Sequence, residues 1–278
     1  MIEKLLVVAG SGVYPELLVR GAKAAGVARV DVVALRGSTA RATARVADHV
    51  TWIRLKEISE NIRRVGAQGF DGAILAGQVN PLSLFRGGFD DEIKAALRSL
   101  PVKNAHTIFK KLIDLFAASG VKILPASLFM EDCLPGEGPL TTRGLSESER
   151  ADMAHAQNVA RDMGLHDVGQ TVMVKAGMVL AVEAFEGTNA AIRRGGRLGG
   201  RGAVLFKAAR EGHDMRFDIP VVGLKTVKLM ARMGVTALGF QAGRLILLDR
   251  DEALAYANKH NLALVGLPTD LPPAPTRL

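Results

Sequence analysis

The chain has 278 residues, 48% of them apolar and 23% charged, a composition typical of globular proteins that excludes a disordered chain. This length favours two domains over one. The formal net charge of +8 favours anionic partners, namely nucleic acid, anionic lipid or phosphorylated metabolites. Aromatic residues make up only 5%, a poor supply of stacking surfaces, so we expect no nucleic-acid partner.

The sequence predicts neither a transmembrane segment nor a signal peptide, and it contains a single cysteine. No apolar run approaches the roughly 18–20 residues that cross a bilayer, and Glu3 and Lys4 shorten the first apolar stretch below that of a signal peptide. We therefore expect a cytoplasmic protein. The single cysteine, Cys133, excludes an internal disulfide and a cysteine zinc cluster, and we interpret it as a small buried hydrophobe.

Strand and helix patterns alternate through the first half of the chain. Predicted strands occupy residues 5–8, 30–35, 49–55, 72–76 and 121–124, and predicted helices follow AGSGVYP and occupy residues 56–67, 90–100 and 105–119. Such alternation predicts an α/β domain over residues 1–131, in which helices cover both faces of a parallel sheet.

The second half begins after a break rich in glycine and proline, residues 132–147, which we predict to be a linker. The following helix, 148–163, has Ser146 or Ser148 as its N-cap. Two hairpins are predicted, with turns at Ala176-Gly177 and Ala242-Gly243. Further helices are expected at residues 189–194, 224–233 and 251–259, with a last strand at 262–265. The pattern predicts an α+β domain over residues 148–278.

Gly10 and Gly12 lie where the first strand turns into the first helix, and a helix start offers free N–H groups to an anion. A dinucleotide fingerprint would require a third glycine where Pro15 stands, so NAD or FAD binding is disfavoured. The alternatives left open are a tight structural turn and a site for another phosphate or sugar.

Two later loops carry polar residues that could contact a ligand. Gln78 and Asn80 follow the fourth strand, where the ligand crevice of an open parallel sheet lies, although an Asn-Pro turn is the favoured explanation. Asn104 and Thr107 open a helix, and Asn104 is explained by N-capping alone. His106 beside them could act as a general acid, although an exposed histidine at a helix start is the favoured interpretation.

The densest charge lies in the second half. Glu183 and Glu186 end a predicted strand, and Asp214, Arg216 and Asp218 alternate, so that their side chains share one face if the segment is extended. Carboxylates can hold Mg²⁺, and an adjacent arginine can bind phosphate. An ion-pair network centred on Arg216 is the alternative. The preceding stretch RRGGRLGGRG is predicted to be a flexible basic loop.

The motifs DVGQTVMVKAGMVLAVEAFEGT, DMRFDIPVVG and QAGRLILLD, with AGSGVYP and LAGQVNP in the first half, together resemble the LpxI-type UDP-2,3-diacylglucosamine pyrophosphatases of lipid A biosynthesis. The resemblance implies a Rossmann-like N-terminal domain followed by a distinctive C-terminal domain. It also implies Mg²⁺-dependent hydrolysis of UDP-2,3-diacylglucosamine to UMP and 2,3-diacylglucosamine 1-phosphate. The inner membrane is an expected peripheral contact, and a homodimer is allowed.

The resemblance assigns roles to particular residues. The aspartate of the family's RxDxP motif falls on Asp218, which is expected to be catalytic and to hold the metal. Expected to assist it in catalysis are Glu186, Arg216 and Lys207, with Glu186 and Asp214 as further metal ligands. Substrate-binding roles are expected for Gly10, Gly12, Gln78, Asn104, Thr107, Gln170 and Thr188.

Two departures from the family pattern affect these roles. Many members have an acidic GDD where this chain has Lys103-Asn104-Ala105, and many have EGTD where this chain has Asn189. Both remove acids that could help to hold a metal. They leave open a second function, that of a non-catalytic or altered-specificity binder of a nucleotide sugar or lipid phosphate.

Overall fold

A computed structural model of the chain describes residues 2–78, 89–98, 105–209, 214, 216 and 219–269. The chain divides into two compact units: residues up to Met130 together with Arg216 form the first, and the other described residues from Glu131 onward form the second. None of the helices in these described ranges is both long and apolar enough to span a membrane.

The first unit is built on a four-stranded parallel sheet with the strand order β3-β2-β1-β4. Its strands are β1 (Lys4–Ala9), β2 (Arg29–Leu35), β3 (His49–Ile53) and β4 (Gly72–Ala76). Its helices are α1 (Tyr14–Ala24), α2 (Arg41–Val46), α3 (Ile58–Gly66), α4 (Asp91–Arg98) and α5 (Ala105–Ala118). The prediction of an α/β fold with a parallel sheet is confirmed.

The core of this unit follows from the alternation of side chains along each strand. Leu6 and Val33 of the sheet pack with Ile62 of α3 and Phe116 of α5 in one buried cluster. The fifth predicted strand is reduced to a parallel bridge between Ile123 and Ala73. The turns after it explain this, because they begin at Pro125, whose O accepts the Leu128 N–H at 3.2 Å.

The second unit contains a six-stranded mixed sheet with the order β5-β12-β10-β8-β6-β7. These strands are β5 (Gly138–Pro139), β6 (Thr171–Lys175), β7 (Met178–Val182), β8 (Ala203–Lys207), β10 (Val235–Gln241) and β12 (Ala263–Leu267). Strands β8, β10 and β12 are parallel, whereas β5, β6 and β7 join them antiparallel to their neighbours. A separate pair joins β9 (Val221–Val222) to β11 (Ile246–Leu247).

The helices of the second unit are α6 (Glu147–Leu165), α7 (Thr188–Gly199), α8 (Leu224–Arg232) and α9 (Arg250–Lys259). Ser146 is the N-cap of α6 and forms a capping box with Glu149, so the predicted cap is confirmed. The hairpin turn is confirmed at Ala176-Gly177, where both residues have positive φ, 50° and 74°.

The second predicted hairpin is wrong. The chain does turn after β10 at Ala242-Gly243, but β11 then pairs in parallel with β9 instead of returning along β10. Strand β10 has no free side for a returning strand, because β8 and β12 already occupy its two edges.

The basic stretch RRGGRLGGRG is also different from its prediction, since most of it belongs to α7. Its glycines permit close packing: a Cβ on Gly195 would lie 2.5 Å from the sulfur of Met173, and one on Gly199 would lie 2.2 Å from a methyl carbon of Leu180. Helix propensity alone is unfavourable for this sequence, and the packing of the helix on β6 and β7 outweighs it.

Residues 132–147, the predicted linker, are held against the second unit. The Leu140 N–H donates to Leu264 O at 2.8 Å, and β5 pairs with β12. Arg143 donates to Asn261 O at 2.9 Å and forms an ion pair with Glu149. The glycines and prolines here shape a strand-and-turn segment.

Candidate functional site

The glycine loop after β1 and the loop after β4 meet at the carboxyl edge of the first sheet. Gly10 donates its N–H to Ala76 O at 2.7 Å, and Ser11 exchanges backbone hydrogen bonds with Gln78 at 2.8 and 3.1 Å. In the strand order 3-2-1-4, β1 and β4 flank the point where chain direction across the sheet reverses, and ligands of open α/β sheets bind there. The structure thus brings three predicted substrate-binding residues together: Gly10, Gly12 and Gln78.

Gly10 and Gly12 are glycines for different structural reasons. A Cβ on Gly10 would lie 2.5 Å from Gln78 O, so this glycine is required by the contact between the two loops. Gly12 has a φ of +97° and open space around its missing side chain. Open space and the start of α1 at Tyr14 leave Gly12 as the glycine that a ligand could approach.

Three further residues of the first half were predicted to contact substrate. Asn80 and Asn104 lie outside the described residues. Thr107 lies in the first turn of α5, in a part of the helix where the structure describes the backbone only.

A buried lysine marks the corresponding edge of the second sheet. Lys207 ends β8, and its side chain is 4% exposed. Its ammonium donates to Thr188 Oγ1 at 2.8 Å and, more weakly, to Thr171 Oγ1 at 3.4 Å, and lies 3.7 Å from Glu183 Oε2. The Thr188 hydroxyl lies 3.0 Å from both oxygens of Glu183 and donates to that carboxylate.

These four residues, which we call the Lys207 cluster, come from neighbouring elements. Thr171 and Lys207 are directly paired across β6 and β8, and Glu183 follows β7 with its N–H bonded to Thr171 O at 2.8 Å. Thr188 is the first residue of α7. The cluster therefore combines a lysine ammonium held out of water, whose charge is partly offset by Glu183, with the N-terminus of a helix, which favours an anion.

Gln170 and Gln241 border the same edge. Gln170 O accepts the Ala208 N–H at 2.8 Å, and Gln241, at the end of β10, accepts the Ala209 N–H at 2.7 Å through its side chain. Gln170 thus lies beside Thr171 and the end of β8, next to the Lys207 cluster. Lys207, Thr188 and Gln170, three residues singled out from the sequence, are gathered at one edge.

Glu186 does not point into this cluster. It forms an ion pair with Arg194 of α7 at 2.6 Å, and this hydrogen bond is the main reason why its pKa lies below the ordinary value. Arg194 also donates to Val182 O at 2.8 Å. A metal-binding role for Glu186 would require this pair to break.

The alternating acidic segment is only partly described. Asp214 and Arg216 are half-buried and each has an interaction partner, whereas Asp218 lies outside the described residues. Within the described ranges, no group of three histidine, cysteine, aspartate or glutamate residues is arranged to hold a metal ion. The roles assigned to these three residues stay predictions.

Two features of the second unit were missed from the sequence. Arg244, in the turn after β10, is only 4% exposed, and burial lowers its pKa. It follows the strand next to β8, so a second buried cation lies at the carboxyl edge that carries Lys207. The motif QAGR does not by itself predict that Arg244 is buried, because burial of an arginine depends on tertiary packing.

The other missed feature is a pocket of about 360 Å³ at the opposite, amino edge of these parallel strands. Val235 and Thr236 at the start of β10 line it, together with Arg143, Glu149 and His260. Arg143 and Glu149 face each other there at 2.6 Å, so their charges cancel. Burial raises the pKa of the Cys133 thiol, which disfavours a nucleophilic role.

The fold and these sites define an α/β protein with glycine loops at the carboxyl edge of its first sheet and two buried basic side chains at that edge of its second. Family comparison is specific: the LpxI N-terminal domain matches residues 4–133 and the LpxI C-terminal domain matches residues 136–265. The chain belongs to the LpxI family. A relative from Caulobacter vibrioides, named UDP-2,3-diacylglucosamine pyrophosphatase LpxI, is 31% identical over 96% of this chain and 98% of its own length.

Two solved structures show a distant likeness to the chain. The biotin carboxylase domain of Hydrogenobacter thermophilus 2-oxoglutarate carboxylase matches with a TM-score of 0.27 and 13% identity over 64% of this chain and 36% of that chain. Phosphoribosylglycinamide synthetase from Anaerococcus prevotii matches with a TM-score of 0.24 and 11% identity over 64% of this chain and 38% of that chain. The chain spans little more than a third of these proteins, and so distant a likeness carries no functional argument.

Proposed function

We propose that this protein is a hydrolase of lipid A biosynthesis that cleaves the diphosphate of UDP-2,3-diacylglucosamine, releasing UMP and 2,3-diacylglucosamine 1-phosphate. The observation that carries the proposal is the relative of that name, which aligns over 96% of this chain and 98% of its own length. The buried cations of the second unit supply the chemistry that such a substrate needs.

Lys207 has the chief electrostatic role in this proposal. Its ammonium is fixed by Thr188 and Glu183 before substrate arrives, so little reorganisation is needed when charge shifts on the diphosphate. Thr188 N–H lies at the first position of α7, where backbone donors face outward to an anion. Cleavage would then proceed by positioning and charge stabilisation, without a covalent intermediate.

Mg²⁺ is proposed as the cofactor, with Asp218 and Asp214 as its protein ligands and Glu186 as a third ligand once released from Arg194. Bound there, it would draw charge from the diphosphate and supply an activated water. The Glu186–Arg194 pair shows that Glu186 does not fit this role as it stands, so we expect the metal to depend mainly on Asp218. Gly10, Gly12 and Gln78 are proposed to contact the nucleotide part of the substrate.

The test is turnover by the purified protein. UDP-2,3-diacylglucosamine dispersed in detergent is incubated with the protein and Mg²⁺, with a chelator arm, and UMP is measured by chromatography. Steady UMP release that stops with the chelator is expected. Absence of UMP release at every Mg²⁺ concentration would overturn the proposal.

A non-catalytic or altered-specificity binder is the second candidate, favoured by Asn189. This residue lies exposed in the first turn of α7, one position after Thr188, where many relatives carry an acid. Retention of the UDP-sugar lipid without turnover would support this candidate. Measurable UMP release would exclude it.

A further inference from the structure

Helix α7 presents an unusually basic exposed face. Ala191, Ile192, Gly195 and Gly196 are its buried side. Arg193, Arg194, Arg197 and Leu198 are exposed, and Arg201 directly after the helix is exposed as well. The sequence from Gly187 to Arg210 contains no acidic residue, so nothing within this segment offsets the positive charge.

Most of this charge is uncompensated. Arg194 forms an ion pair with Glu186, which neutralises its charge. In the part of the chain that the structure describes, Arg193, Arg197 and Arg201 have no carboxylate partner, and Arg193 donates only to the backbone of Asn189 at 3.3 Å. Arg193 and Arg197 are four residues apart and share one side of the helix, and Arg201 follows two residues after the helix ends.

Exposed apolar side chains accompany these arginines. Leu198 is 69% exposed and Met178, on the edge strand β7, is 65% exposed. Lys175 is the strand partner of Met178, and its ammonium donates to Gly199 O at 2.6 Å, which brings Met178 and Leu198 to the same end of the β7–α7 pair. Large apolar groups standing among free cations are characteristic of surfaces that lie on lipid.

We propose that this basic face, defined by Met178, Arg193, Arg197, Leu198 and Arg201, docks the protein on an anionic bilayer. Anionic headgroups complement the three arginines, and Leu198 and Met178 would enter the boundary between headgroups and acyl chains. The proposal deepens the proposed function by naming the surface from which a diacylated substrate would be taken. It rests on that function for its purpose only, and its test needs no substrate.

The position of the face relative to the candidate site fits this role. Helix α7 begins at Thr188, which belongs to the Lys207 cluster, and the arginines follow along the same helix. Twelve residues of helix span about 18 Å, less than the thickness of one bilayer. A lipid headgroup bound beside this helix would therefore lie within about one helix length of Lys207.

Vesicle cosedimentation tests the proposal. The full chain is mixed with vesicles of phosphatidylcholine alone or with 30% phosphatidylglycerol added. The triple variant Arg193→Gln, Arg197→Gln, Arg201→Gln is compared with a variant of equal charge change at exposed arginines elsewhere. That matched control carries Arg41→Gln, Arg45→Gln and Arg161→Gln.

The wild type and the control should bind the anionic vesicles, and high salt should release them. At about fivefold per arginine, the triple variant should bind on the order of a hundredfold more weakly. Equal weakening of both variants, or no binding by the wild type, would overturn the proposal. UMP release from detergent-dispersed substrate should be unchanged in the triple variant, which separates failure of docking from failure of the proposed function.

A single variant distinguishes a bilayer from a nucleic acid. Leu198→Gln keeps every charge but removes the apolar contact, so it should weaken vesicle binding severalfold and leave heparin or RNA retention unchanged. The membrane proposal would be overturned by two results together: Leu198→Gln leaves vesicle binding unchanged, and the triple variant loses retention on RNA. The face would then be assigned to a polyanion.

Discussion

Replacing Glu149 with glutamine should remove a pH-dependent part of the stability of the second unit. The Glu149 side chain is 10% exposed and receives Arg143 in a two-pronged ion pair at 2.6 and 3.0 Å. The Ser146 N–H and the Thr236 hydroxyl also donate to it, at 2.9 and 2.7 Å. These contacts fasten residues 143–149 to the start of β10.

The magnitude follows from the pKa. Burial is the largest single influence and acts to raise the pKa of Glu149, but the hydrogen bonds from Arg143, Ser146 and Thr236 together outweigh it and lower the pKa from 4.5 to about 2. A lowered carboxyl pKa stabilises the fold above the unfolded pKa, and the contribution is lost as pH falls from 4.5 toward 2. The expected contribution is about 3 kcal/mol at pH 7 and about 1 kcal/mol at pH 3.

Urea unfolding, monitored by circular dichroism, measures this contribution to the free energy of unfolding. The free-energy difference between wild type and Glu149→Gln should be about 2–3 kcal/mol at pH 7 and should fall to about 1 kcal/mol at pH 3. Glu147→Gln, an exposed position in the same helical turn, is the control and should change little at either pH. A Glu149→Gln difference that stays constant between pH 7 and pH 3 would refute this reasoning.

Three further changes test the sites. Lys207→Met should destabilise the second unit by about 3 kcal/mol, because it leaves the buried carboxylate of Glu183 without its cation, and should lower UMP release by about 10²–10³-fold. Gly10→Ala should lower the unfolding free energy of the first unit by about 1–3 kcal/mol in a urea titration, since the new methyl group would press on the facing loop. Arg194→Gln should raise the pKa of Glu186 toward its ordinary value, as followed by NMR titration of the carboxyl carbon.

Matched variants separate specific effects from general damage. Adding Glu183→Gln to Lys207→Met should restore stability but not activity, and a double variant with normal turnover would remove Lys207 from the mechanism. Gly136→Ala, where a Cβ meets open space, should be neutral, and equal losses at positions 10 and 136 would contradict the packing argument. Arg193→Gln should leave the Glu186 titration unchanged.

The first sheet and the N-cap of α6 were predictable because their signals are local. Apolar strands of the length of Leu5–Val8, glycine turns and the Ser146 capping box each act within a few residues. The turn at Ala176-Gly177 was found for the same reason, since a two-residue turn fixes the pairing of its flanking strands.

What the sequence could not supply depends on distant partners. The second predicted hairpin failed because both edges of β10 are filled from elsewhere in the chain. The glycines of α7 look like loop residues until the side chains of Met173 and Leu180 are brought beside them. The ion pair of Arg143 with Glu149 and the burial of Arg244 likewise arise only when strands far apart in sequence are aligned.

The central claim is tested most directly by Asp218→Ala. In a UMP-release assay with UDP-2,3-diacylglucosamine and saturating Mg²⁺, the account predicts steady turnover by the wild type and none detectable by the variant, with unchanged circular dichroism and retained binding of the substrate. Wild-type turnover that persists in Asp218→Ala would contradict the assignment of Asp218 as the catalytic and metal-holding residue.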